Sequence, residues 1–318
     1  MADRSSDAAA DPLTGLAIDA VQDVLVRRQW DSNGGYCGET SLIAAGMSFG
    51  QYASQFTVRA LAAPGLPQVE EASQLLLGVN DQAAARRMHL AVSDPSDAAA
   101  PPGLRGTARF AAWIRGTITA GARVILAVYV KGEADRDYDH IVPAVQVSAA
   151  RARAGPLGGR LSFADNAGRV WSGTFRQLLR SRRGANRASA PPYSLPNGGQ
   201  HHALAVHGVL DPDRVTIPVI LQGSRNDEPP LPAAAQQPPA PAPLTLRATV
   251  LIPDQSQSYT LYRYDDFAKV PDRAFNAAAT SAVQSWLIPA HVGSSVDVTV
   301  NALTSDTVVF RAVPSAAA

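Results

Sequence analysis

The chain holds one cysteine, Cys37, in 318 residues. A single thiol excludes an intramolecular disulfide and any multi-cysteine zinc or iron–sulfur centre. Lysine is almost as scarce, because only Lys131 and Lys269 interrupt an otherwise all-arginine set of 28 basic residues. No apolar run approaches the ~18–20 residues that a membrane-crossing helix needs. The opening MADRSSDAAADPLTG is polar and acidic, without the basic start and apolar core of a signal peptide. The expectation is a soluble protein with no membrane insertion, cytoplasmic as it stands, or secreted if a leader was removed. With a net charge of +1, nothing draws the whole chain toward nucleic acid. No glycine-rich phosphate loop followed by Lys-Ser or Lys-Thr occurs, and no cofactor is expected.

The run EPPLPAAAQQPPAPAP, from Glu228 to Pro243, is the one strong break in composition. Proline neither continues a helix nor donates to a sheet ladder, so the run reads as an extended linker. It divides a body (1–227) from a tail (244–318). In the tail, LTLRATVLIP, SYTLYRYDDF, SVDVTVNAL and DTVVFRAV alternate apolar and polar residues, which predicts a small antiparallel β domain. Tyr259, Tyr262 and Tyr264 are either cross-strand packing or a face for a protein or carbohydrate partner.

The body begins with helices. Thr40 to Phe49 and Asp81 to Met88, the latter behind Asn80, read as helices, and the spacing of Phe110, Trp113, Ile114, Thr117 and Ile118 predicts a third that ends at Gly121. Strands follow in RVILAVYV, HIVPAVQV, RLSFADNAGRVW, HHALAVHGVL and VTIPVILQ. That order predicts an α+β fold with a largely antiparallel sheet.

The chemistry is concentrated around QWDSNGGYCGETSL, residues 29–42. Asn33-Gly34-Gly35 is a turn, and an apolar helical segment follows, so Cys37 falls at a helix start. Free backbone N–H groups there favour a thiolate and an oxyanion. A nucleophilic thiol also needs an imidazole. Among six histidines, His140 stands at the mouth of the strand HIVPAVQV. Asp165 or Asn166, closing the next strand, could orient its ring. Asp139 points to the opposite face of that strand.

These residues resemble the papain-like cysteine peptidase superfamily, closest to the compact bacterial branch that includes the bacteriocin-leader-processing peptidases. The match runs from QWDSNGGYCGETSL through YDHIVPAV to LSFADNAG and VWSGTFRQLL, roughly residues 20 to 180. The resemblance implies Cys37 as nucleophile, His140 as general base in an ion pair with it, Asp165 as orienting residue and Gln29 as oxyanion donor. It implies a peptide or protein substrate cleaved through a thioester. Gln29 lies eight residues before Cys37, two more than the family spacing, which makes Asn33 the alternative donor. Asn166 is the alternative orienting residue. Two other outcomes use the same residues: a papain-like fold kept for binding, and transglutaminase-like acyl transfer.

Other motifs are weaker. Gly46-Met47-Ser48-Phe49-Gly50 spells G-x-S-x-G but follows a helical segment, where a nucleophile elbow needs a strand. His201, His202 and His207 do not space as metal ligands on one strand face. The arginines at 151, 153, 160, 180, 182 and 183 lack the aromatic residues of a nucleic-acid groove.

Overall fold

The computed structural model describes residues 20–21, 27–31, 33–95, 104–148, 155, 157–197, 202–223 and 244–316. Four helices of seven or more residues occur among them: α1 (Cys37–Met47), α2 (Gln55–Ala62), α3 (Asp81–Arg87) and α4 (Leu104–Thr119). The strands before residue 200 are β1 (Ala20–Val21), β2 (Gln51–Ala53), β3 (Leu90–Ser93), β4 (Arg123–Val130), β5 (His140–Val147), β6 (Arg160–Ala164), β7 (Val170–Thr174), β8 (Leu179–Arg180) and β9 (Tyr193–Pro196). Those after it are β10 (Ala203–Val209), β11 (Val219–Gly223), β12 (Leu244–Leu251), β13 (Tyr259–Tyr264), β14 (Gln284–Ile288), β15 (Ser295–Leu303) and β16 (Thr307–Pro314). The fold is mixed α+β with several antiparallel sheets.

The main sheet has nine strands, with a central path β3-β10-β4-β5-β6-β7. β1 joins β5, β9 joins β4, and β8 runs parallel to β9. β4 shows how the sequence selects this arrangement. RVILAVYV is apolar at nearly every position, the mark of a strand covered on both faces. Ile125 and Ala127 pack with α1 residues such as Leu42 and Ile43, while Val124, Leu126 and Val128 pack with Phe110, Ile114 and Ile118 of α4. Apart from Glu39, α1 is apolar or small all round, and every residue of it after Cys37 is buried. It therefore lies inside the molecule, between the main sheet and the strands that follow residue 216.

The boundary expected at 228–243 does not separate two cores. The proline-rich run lies outside the described residues. The strands on either side of it pair directly: β11 with β12 and β2 with β16, giving the sheets β11-β12-β15 and β14-β13-β16-β2. Leu246, Ala248, Val308 and Phe310 belong to the same apolar cluster as Leu42, Ile125 and Ile141. Tyr259, Tyr262 and Tyr264 are buried in that cluster, so they supply packing and not an outer face. QSWLI forms a strand, β14, that the alternation search had not singled out.

A chain ending at residue 227 is accordingly expected to lose cooperative folding, because β2 and β11 lose their partners and Leu221 and Tyr52 lose their cover. Circular dichroism melts of the truncated and full chains check this. A truncated chain with a sharp transition near that of the full chain would establish an independent body.

Candidate functional site

The local chain around Cys37 is set by three consecutive residues in the left-handed region: Asn33 (φ 53°), Gly34 (φ 77°) and Gly35 (φ 89°). Glycine tolerates that geometry at two of the three. The turn is closed where Tyr36 N–H donates to Trp30 O at 3.2 Å, and Cys37 then opens α1. Gly38 is required beside it, since a Cβ there would lie 2.3 Å from the Leu75 carbonyl oxygen.

Arg59 of α2 holds this turn from inside the protein. Its Nε donates to Glu39 Oε1 at 2.7 Å, both side chains being essentially inaccessible. Its Nη1 donates to Asn33 O at 2.9 Å and Gln68 O at 3.2 Å, and its Nη2 to Gly35 O. The guanidinium carbon also lies 3.5 Å from the Tyr36 ring centroid. Glu39 Oε1 accepts a further bond from Leu75 N–H at 3.1 Å.

Gln55, one turn before Arg59 on α2, fixes the segment that carries Gln29. Its Oε1 accepts from Trp30 N–H and from Thr40 Oγ1, both at 2.9 Å, and its Nε2 donates to Arg28 O at 3.1 Å. Gln29 N–H donates to Asn166 O at 2.9 Å. Gln29 borders the same cleft as Cys37. Asn33, the alternative donor, borders it too, with its Nδ2 on Tyr36 Oη at 3.3 Å.

His140 is the first residue of β5. Its Nε2 lies 2.9 Å from the main-chain oxygen of Asp165. A carbonyl only accepts, so the proton sits on Nε2 and the lone pair on Nδ1. Asp165 thus holds the imidazole through its backbone carbonyl and not through the carboxylate named above. The Asp165 carboxylate is engaged elsewhere: Oδ1 accepts from Ala167 N–H and Arg169 N–H, and Oδ2 from Trp171 Nε1–H, each at 2.9 Å. Asn166 does not orient the ring with its side chain. Its Nδ2 lies within hydrogen-bond distance of Cys37 O (3.1 Å), Ser41 Oγ (2.9 Å) and Ile141 O (2.9 Å), tying the first turn of α1 to β5. Asp139 also borders the cleft but pairs with Arg182.

Cys37, His140, Gln29, Asn33, Asp165 and Asn166 all line one open cleft of about 1280 Å³. Burial and the Glu39 carboxylate push the Cys37 thiol up to about 12, while the backbone amides of Ile141, Gly38 and Cys37 itself pull it down. Burial also lowers His140, against the opposing pull of its Asp165 hydrogen bond and of the Asp165 and Asp139 charges. Both shifts favour a neutral thiol and a neutral imidazole over a resting ion pair.

Of the other sequence candidates, His202 borders the same cleft, whereas Ser48 and His207 do not. Ser48 is the C-cap of α1 and so follows a helix instead of standing between a strand and a helix. His202 packs edge-on against Tyr138 (5.1 Å between ring centroids), and His207 Nε2 bonds Ser93 Oγ at 2.7 Å. His201 lies outside the described residues, among which no group of three His, Cys, Asp or Glu side chains is placed to hold a metal. Arg59 and Gln55 escaped the sequence reading. Their one signal is a polar pair at i and i+4 in the short segment QFTVRALA, which puts both on one helix face. Comparison with protein-family models, curated proteins and solved structures finds no match for this chain.

Two outcomes follow from this geometry. Arg59→Met leaves the Glu39 carboxylate buried without its partner and should cost about 3–5 kcal/mol in urea unfolding. The double variant with Glu39→Gln should recover part of that loss. Iodoacetamide at pH 7 should label Cys37 at least ~100-fold more slowly than a free thiol, whose pKa is about 8.5. The rate should keep rising at pH values where the free-thiol control has levelled off. Faster labelling than the control at pH 6 would restore the ion pair.

Proposed function

We propose that the chain is a thiol-dependent hydrolase of papain-like type, related to the bacteriocin-leader-processing branch, that cleaves peptide amide bonds through a Cys37 thioester. The observation that carries this reading is a convergence. Cys37 at the first position of α1, His140 at the first position of β5 and Gln29 border one cleft, and the amide of Ile141, next to His140, faces the Cys37 sulfur. A buried helix bearing the thiol on one face of an antiparallel sheet, with the imidazole on a strand of that sheet, supports the papain-like assignment.

The neutral resting pair defines the first step. His140 Nδ1 takes the thiol proton as the sulfur attacks the substrate carbonyl carbon, so charge develops only as the C–S bond forms. The oxyanion is received by the Cys37 backbone N–H and the Gln29 amide. The imidazolium, whose Nε2–H stays on Asp165 O, returns its proton to the leaving amine as the C–N bond breaks. A water molecule, deprotonated by His140, then attacks the thioester, and the acid product and the free thiol are released. Attack by an amine in place of water would give acyl transfer.

A second reading is favoured by one observation: a thiol pushed up to about 12 suits a cleft that binds peptide without cleaving it. Turnover decides between the two. With a peptide-library substrate, Cys37→Ala and His140→Ala should each lower kcat/KM by at least ~1,000-fold. Asp165→Asn should act mainly on stability, losing about 1–3 kcal/mol, because its new Nδ2–H group would meet Trp171 Nε1–H. Equal residual hydrolysis by wild type and Cys37→Ala would leave the binding reading standing.

A further inference from the structure

The walls of the Cys37 cleft carry an uneven charge. Seven carboxylates line it against one guanidinium, Arg28, although the whole chain is nearly neutral at +1. Two of the seven are committed: Asp139 pairs with Arg182, and Asp165 accepts three hydrogen bonds within its own turn. The remaining five, Asp31, Glu71, Glu133, Asp135 and Asp137, are all exposed. None of them forms an ion pair among the described residues. They stand on two separate segments. Asp31 and Glu71 come from the chain flanking α1 and α2, and the other three come from the β4–β5 connection that leads into His140.

A second, independent feature of the same cleft points to a bound chain. Val79 and Val69 border it with 73% and 37% of their surface exposed, an apolar patch beside the acidic one. A concave surface with low-dielectric walls concentrates the field of the carboxylates at its mouth.

We propose that the cleft selects peptide segments in which arginine or lysine neighbours an apolar side chain. The cationic residues meet the carboxylates of the β4–β5 connection and Glu71, and the apolar one covers Val69 and Val79. This rests on the hydrolase reading for its consequence, cleavage near basic residues, but the selection itself is a binding property. Each exposed charge pair contributes a factor of about two to five, so several acting together give a preference of an order of magnitude.

The test uses the full chain with Cys37→Ala, which binds without turnover, and three fluorescent peptides. They share their apolar residues and carry arginine, glutamine or glutamate at the flanking positions. Fluorescence anisotropy should show the arginine peptide bound at least ~10-fold more tightly than the glutamate peptide, with the gap shrinking in ~0.5 M salt. Adding Glu71→Gln, Asp135→Asn and Asp137→Asn, all at exposed positions, should reduce the gap to about twofold or less. Equal affinities, no binding of any peptide, or a gap that survives the triple substitution would overturn the proposal. Wild-type hydrolysis of the same peptides separates it from the hydrolase reading. Cleavage without charge preference defeats the selection alone, and preference without cleavage defeats the hydrolase alone.

Discussion

The buried Arg59–Glu39 pair is the constraint on which the site depends. Removing both charges from water costs several kcal/mol for each ion, and their mutual attraction does not by itself repay that. What offsets the cost is the rest of the guanidinium. It satisfies the carbonyls of Asn33, Gly35 and Gln68, which would otherwise be buried polar groups in a turn with no regular partners. The left-handed turn and the buried cation therefore require each other. Without the turn, the arginine has too few acceptors. Without the arginine, three carbonyls have no donor, and the entry of the chain into α1 is undefined. The same pair acts on the sulfur two residues away, because the Glu39 charge is one of the two causes that raise the Cys37 thiol.

Around that anchor the site is assembled mostly through main-chain groups. Gln55 binds the backbone on both sides of Gln29, Asn166 binds the carbonyls of Cys37 and Ile141, and Asp165 presents its own carbonyl to His140. A backbone acceptor fixes the imidazole tautomer as firmly as a carboxylate does, but it stabilises an imidazolium less. Burial, which that carbonyl opposes, sets the downward direction in which His140 is shifted. It makes the proposed chemistry one of concerted proton transfer, in which charge appears only when substrate is present to share it.

The elements that a pattern search reads well were legible. β4, β5 and the tail strands other than β14 fall where apolar runs and alternation put them, and Cys37, His140, Gln29 and Asp165 all line one cleft. Three things were not legible, each for a physical reason. A sequence displays side chains and not carbonyl directions, so Asp165 was read as a carboxylate donor of orientation when its backbone does the holding. Arg59 lies in eight helical residues too short for a clear period, and its partners are spread from Asn33 to Gln68. A proline-rich composition predicts a break in regular structure, but it carries no information about which strands on either side of it pair. β2 has only three residues and β11 begins after a proline at 218, so neither announced a partner in the tail.

That pairing gives the tail a mechanical place in the site. α1 ends at Met47, and β2 begins only four residues later, so whatever holds β2 holds the C-terminal end of the helix that bears the thiol. β16 does so directly: Phe310 N–H donates to Gly50 O at 2.7 Å, and the buried Arg311 donates to Gln51 Oε1 at 2.8 Å. Gln51 in turn reaches Met88 O at 2.8 Å, joining this end to the segment after α3. α1 is thus gripped by a buried arginine near each end, Arg59 from the body and Arg311 from the tail. These contacts fix the helix at both ends, so the strands after residue 244 help to set where Cys37 stands relative to the cleft that His140 also lines.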